Sequence, residues 1–232
     1  MDFRYIDGNY LEISEGISNA QKQALRTDRP ELLVSIKYAN IDEIEYLVNT
    51  FGVKIVGENR VQQLLERYDR LKALNVDIHF IGALQTNKVK YIIDKVSLIQ
   101  SLDRIELARE IDKQAKKHGL VMDVLVEINV GREENKSGVY PEQLEEFCRE
   151  ISSFSSINLR GFMVMTPKCE KNIEYLKYFT KTYRLVLDIW QKKLHNIDVP
   201  ILSMGMSDSY AEATMAGSTM LRIGRKMFDK NQ

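Results

Sequence analysis

The chain has 232 residues, 33 Lys plus Arg against 33 Asp plus Glu, with 44% hydrophobic and 28% charged residues. That balance gives no net field to recruit nucleic acid or an anionic membrane, and no apolar run is long enough to span a bilayer. The start, MDFRYIDGNY, has two acids and no apolar export core, and the two cysteines, Cys148 and Cys169, lack metal-ligand spacing; a reduced, cytoplasmic protein without a zinc site is expected.

A first segment, Tyr10 to Leu25, reads as an extra helix ahead of the first strand. Short apolar or β-branched runs follow at ELLVSI (31–36), VKIV (53–56), DIHFIG (77–82), KVSLIQ (95–100), MDVLVEINV (122–130), INLRGFMVM (157–165), PILSMG (200–205) and TMLRIG (219–224). Helical spacing lies between them. Ile44, Leu47, Val48 and Phe51 form one apolar face, and Asn40 with Glu43 supplies a capping box. Asp103 with Glu106 repeats the box before Leu107, Ile111 and Ala115. Ile173, Leu176, Phe179, Tyr183, Val186 and Trp190 make the longest stripe, a core-facing helix.

Eight strands alternating with helices at this length predict an α/β fold. It is a single (β/α)8 TIM barrel with an extra N-terminal helix, one domain over 1–232. An open doubly wound sheet is the alternative, weakened because no GxGxxG follows the first strand. A barrel places functional groups on the carboxyl-terminal rim. The polar residues at strand ends are Lys37, Glu58, Asn59, Gln85, Asn87, Ser101, Asn129, Ser203 to Ser207, Arg222 and Gly224.

The loops after strands seven and eight are the usual phosphate site of such a barrel. In SMGMSDS a glycine admits close approach and Ser207 is placed to cap the next helix; GSTMLRIGR adds Gly224 and Arg225. Taken singly, each loop is more often an ordinary glycine turn with a helix cap. Lys37 closes the first strand, and a neutral amine there can attack an aldehyde to form an imine. An amine plus a phosphate cradle suggests pyridoxal phosphate. His79 alternates with apolar neighbours and reads as a hydrogen-bonded interior histidine rather than a catalyst. GREENKSG reads as a solvated loop, with Lys136 near the rim.

The ordered blocks LLVSIK, GENRVQ, HFIGALQTNK, INVGREENKSG, GFMVM, LSMGMS and AGSTMLRIG resemble the pyridoxal phosphate homeostasis protein family over about residues 9–228. The resemblance implies a barrel like the amino-terminal domain of alanine racemase. It implies pyridoxal 5′-phosphate held without established turnover, and a role in vitamin B6 and amino-acid homeostasis. It makes Lys37 the Schiff-base lysine, sets Asn59 beside the ring, gives Ser207, Gly224 and Arg225 to the phosphate and gives Arg222 to the pyridine nitrogen. Arg225 departs from a family threonine, so its backbone amide, or a guanidinium turned inward, would serve instead.

An arginine at the pyridine nitrogen weakens the ring as an electron sink. The chain ends eight residues after Gly224, leaving no room for the added β domain of the racemases. The expectation is therefore a monomeric cofactor binder that passes pyridoxal phosphate to apoenzymes. A low-activity amino-acid racemase is the alternative, and a lysine-dependent aldolase is the third candidate.

Overall fold

The computed structural model describes residues 2–192 and 200–231. Eight parallel strands close into a barrel in sequence order: β1 (Glu31–Ser35), β2 (Ile55–Glu58), β3 (Asp77–Phe80), β4 (Leu98–Leu102), β5 (Met122–Asn129), β6 (Ile157–Met165), β7 (Ile201–Ser203) and β8 (Met220–Ile223). The closing pair sets Leu33 beside Arg222 and Val34 beside Ile223. Between strands run helices α2 (Ile41–Phe51), α3 (Val61–Ala73), α4 (Ile105–His118), α5 (Leu144–Ile151), α6 (Asn172–Trp190) and α7 (Tyr210–Met215). A 3-10 turn at Thr86–Tyr91 takes the place of a helix between β3 and β4.

Alternation along each strand divides the core in two. Val34, Val56, Ile78, Ile99, Val124, Val126, Leu202 and Leu221 face outward and join one large apolar layer with the helices. Inside, Leu33, Ile55 and Met220 form one small apolar group and Leu98, Leu125 and Met163 a second. Two parallel strands read at one-residue offset would turn this core inside out, so the outward Val and Ile residues fix the register and hence which side chains enter the barrel.

α1 (Arg4–Gln23) begins six residues before the expected helix and completes the outer ring between α7 and α2. Ile6, Ile13, Ile17 and Ala20 are its buried stripe. Tyr10 stacks on Phe51 of α2 with centroids 4.1 Å apart. Asn9 donates to the Met227 and Asp229 carbonyls at 3.1 and 2.8 Å, tying α1 to the segment beyond β8. A helix from the front of the chain thus covers the flank next to the short, six-residue α7.

The Asn40–Glu43 capping box is present: Asn40 Oδ1 accepts from the Glu43 amide at 2.9 Å and Glu43 accepts from the Asn40 amide at 2.8 Å. The second expected box is not. The N-cap of α4 is Arg104, with no side-chain cap bond, and Asp103 pairs with the Arg104 guanidinium at 2.6 Å. A carboxylate with an adjacent cation gains more from the charge-assisted bond than from an orphan amide. The α6 stripe is also rotated from the expected one: Tyr175, Phe179, Thr182, Val186, Ile189 and Trp190 are buried, whereas Ile173 is 53% exposed. Phe179, Val186 and Trp190 belong to both readings. Glu58 and Ser101, expected just past their strands, lie within β2 and β4 and are buried.

Candidate functional site

The carboxyl ends of β1, β2, β7 and β8 meet at one mouth. Ser35, the last residue of β1, donates to Asn59 Oδ1 at 3.3 Å. On its other side Ser35 meets Gly224, where an added Cβ would fall 2.8 Å from the Ser35 carbonyl. Only a residue without a side chain fits there. Lys37 follows two residues on, in a turn closed by the Ala39 amide donating to the Ile36 carbonyl at 3.2 Å. It is half-buried, with Nζ 5.0 Å from the centroid of the Tyr38 ring. Tyr38 in turn lies within electrostatic reach of Arg225. The first strand end and the loop after β8 therefore share one rim.

A pair behind the wall holds both the lysine turn and the asparagine loop. Arg67 of α3 donates to the Ile36 carbonyl at 3.0 Å, immediately before Lys37, and lies 3.5 Å from Glu58. Glu58 accepts from the amides of Asn59 at 2.7 Å and Arg60 at 3.2 Å. Burial pushes the Glu58 carboxyl above its usual range, partly offset by those amides and by Arg67. Nothing in the local sequence marks Arg67, because its role depends on α3 folding back over β1 and β2.

The loop after β7, residues 204–209, and the loop after β8, residues 224–226, lock together. Ser207 Oγ accepts from the Lys226 amide at 3.2 Å, and Ser209 Oγ accepts from the Met206 amide at 3.2 Å. Ser207 is therefore not the helix cap expected of it; the N-cap residue of α7 is Ser209, and it makes no cap bond. Gly205 takes φ 95°, a left-handed turn that lets the loop reverse. Among the described residues, the main-chain N–H groups of Ser207, Gly224 and Arg225 make no turn, loop or cap hydrogen bond. These amides lie on the two interlocked loops, and a main-chain N–H without a protein partner is free to donate to a ligand. The Arg225 guanidinium is engaged elsewhere: that side chain is 65% exposed and paired with Asp208. Only the Arg225 amide remains for an anion.

Arg222, on β8 just ahead of the second loop, is buried. Its guanidinium donates to the Ser203 carbonyl at 2.6 Å, to Ser203 Oγ at 3.0 Å and to the Val164 carbonyl at 3.0 Å. Burial pulls it down to about 10, with Glu127 acting the other way, so it remains a cation at neutral pH. Glu127, on β5, is pushed up to about 7 by burial and by Asp103, with Arg222 opposing. His79 is the interior histidine the alternation implied: Nδ1 sits 2.9 Å from Gln100 Nε2, and burial lowers the ring to about 4.

Sequence reasoning missed Ser35, Gln100 and Glu127. The signal for Glu127 was an acid among apolar residues in MDVLVEINV, on the same face as Leu125. Asn129 is consumed locally, accepting from the Glu133 amide at 3.1 Å and donating to the Glu133 carbonyl at 2.9 Å. Lys136 pairs with Glu133 at 2.6 Å in the same loop. A cavity of about 410 Å³ lined by Arg26, Tyr183 and Met215 shares no residue with the mouth.

The parallel eight-stranded barrel is that of a known class, the alanine racemase N-terminal domain, and the model of that family matches residues 34–231. The chain is also 42% identical over 224 residues to the pyridoxal phosphate homeostasis protein of Aquifex aeolicus, covering 95% of this chain and 97% of that one. It belongs to the pyridoxal phosphate homeostasis protein family. A solved structure of an unknown protein from Bifidobacterium adolescentis superposes with a TM-score of 0.86 at 28% identity, covering 98% and 97% of the two chains. PipY of Synechococcus elongatus, solved with pyridoxal phosphate bound, superposes with a TM-score of 0.79 at 24% identity, over 94% of this chain and 100% of that one; that likeness is one of fold. Among the described residues, no helix is long and apolar enough to cross a membrane.

Proposed function

We propose that this chain is a pyridoxal 5′-phosphate-binding protein of B6 and amino-acid homeostasis, holding the cofactor as a Schiff base with Lys37 and running no enzymatic turnover. The observation that carries this reading is the set of three amides without a turn, loop or cap hydrogen bond, Ser207, Gly224 and Arg225, sharing a mouth with the Lys37 turn. The residues fit the group: those amides can donate to a phosphate, Gly224 leaves it room, and the Lys37 amine is available to an aldehyde carbon. Asn59 stands beside the ring and Arg222 faces its nitrogen. When bound, the cofactor supplies an aldehyde and an electron-withdrawing ring.

The chain's own residues favour retention over bond breaking. Arg222 has no acceptor lone pair and only donates, so a ring nitrogen facing it stays unprotonated and the ring draws electrons weakly. Glu58 and Arg67 hold the lysine turn and the asparagine loop at a fixed separation, which favours one bound geometry. The protein acts as one barrel domain over 1–232, a cytoplasmic monomer that yields pyridoxal phosphate to apoenzymes.

The test is spectroscopic. Purified protein with added pyridoxal phosphate is expected to show a visible chromophore bleached by borohydride, with the reduced adduct located on Lys37 by mass spectrometry. An adduct confined to other lysines overturns the site. Rapid isotope exchange at Cα of supplied amino acids overturns the absence of turnover and establishes a racemase-like activity instead.

A further inference from the structure

Four side chains inside the barrel form one continuous hydrogen-bonded chain. Arg222 Nη1 donates to Ser203 Oγ at 3.0 Å, Ser203 Oγ donates to Gln100 Oε1 at 2.7 Å, and Gln100 Nε2 lies 2.9 Å from His79 Nδ1. They come from β8, β7, β4 and β3, and all four are buried. Gln100 Nε2 also donates to Met220 Sδ at 3.2 Å.

Donor counting gives this chain a direction. A guanidinium only donates, so Ser203 Oγ accepts from Arg222 and sends its single hydrogen to Gln100 Oε1. With that oxygen engaged, Gln100 presents its NH2 to His79, and Nδ1 must carry a lone pair. The imidazole is then neutral, with its proton on Nε2. Burial works in the same direction, since it opposes a charged ring at this depth.

We infer that His79, Gln100 and Ser203 are positioning residues that fix the Arg222 guanidinium beneath the mouth, His79 being the terminal acceptor in its Nε2–H tautomer. Arg222 makes no ion pair among the described residues; carbonyls and the Ser203 hydroxyl solvate its charge. Each dipole along the chain turns its negative end toward the cation, so the links reinforce one another. A guanidinium held this way cannot swing toward Glu127 or out to solvent without breaking hydrogen bonds among buried groups. The effect on a ligand rests on the proposed contact between Arg222 and the cofactor ring; the chain itself does not.

Nitrogen NMR of the imidazoles tests the chain without any cofactor. The protein has three histidines, His79, His118 and His195, and a His118→Gln, His195→Gln background isolates one ring in the full-length chain. At neutral pH the expected spectrum has a protonated Nε2 and a lone-pair Nδ1, in a single tautomer. A ring protonated on Nδ1, or on both nitrogens, overturns the proposal. Ser203→Ala is expected to admit the second tautomer, and Ser203→Thr, which keeps the hydroxyl, to restore the first. With pyridoxal phosphate added, Ser203→Ala should weaken retention about three- to tenfold and shift the absorption maximum, with Ser203→Thr close to the parent. A folded Ser203→Ala protein with unchanged tautomer and unchanged spectrum overturns the proposal. The expected tautomer in a parent protein that gives no chromophore supports the chain and instead removes pyridoxal phosphate from the mouth.

Discussion

Glu127 offers a pH-dependent test of how the barrel interior is built. Its carboxyl is 7% exposed, and burial, reinforced by Asp103 and opposed by Arg222, raises it from an ordinary 4.5 to about 7. The folded chain therefore binds this proton more tightly than the unfolded chain. Between those two values the unfolded state has released the proton while the folded state retains it, so stability falls as pH rises through that window. It is fully present below 4.5, lost by about 7 and flat above. At about 1.4 kcal/mol per pH unit, the buried charge costs up to about 3 kcal/mol on the alkaline side. Glu127→Gln keeps the shape and removes the titration. Urea unfolding at roughly pH 5 and pH 8 should show the variant gaining about 2 kcal/mol more over the parent at the higher pH. An equal difference at both pH values would refute the assignment of Glu127 as a buried acid that ionises at a cost.

Lys37→Ala should abolish the borohydride-fixed adduct while leaving the far-ultraviolet dichroism unchanged, because the side chain sits on the rim rather than in the core. Gly224→Ala should weaken retention of pyridoxal phosphate by tenfold or more, since its Cβ would press on the Ser35 carbonyl at 2.8 Å; equilibrium dialysis measures it. Ser207→Ala removes the acceptor for the Lys226 amide and should loosen the loop after β8, costing about 1 kcal/mol of affinity by titration. Asn40→Ala removes one half of the α2 capping box and should lower stability by about 1 kcal/mol in urea unfolding, with no change in the chromophore.

Particular residues separate what the local pattern carried from what folding added. Eight apolar strand runs, with helical stripes between them, were enough to favour a parallel barrel and to point to its rim. The Asn40–Glu43 box was legible because both partners lie within one turn. Asp103 and Glu106 have the same spacing, but the competing Arg104 beside Asp103 took the carboxylate. Ser207 was misread as a cap, since its acceptor role depends on Lys226 arriving from another loop.

Chain order alone thus fixed the alternation of strands and helices, because periodicity is a property of neighbours along the backbone and needs no partner from elsewhere. It also placed a lysine and a glycine-bearing loop at strand ends. Barrel closure decided the rest. It set Gly224 against Ser35 and turned Arg225 out to Asp208. It brought Arg67 behind the Lys37 turn and threaded His79, Gln100, Ser203 and Arg222 into one bonded row. Those contacts join residues up to 189 positions apart, as Ser35 and Gly224 are, and the longest of them exist only once the last strand has met the first.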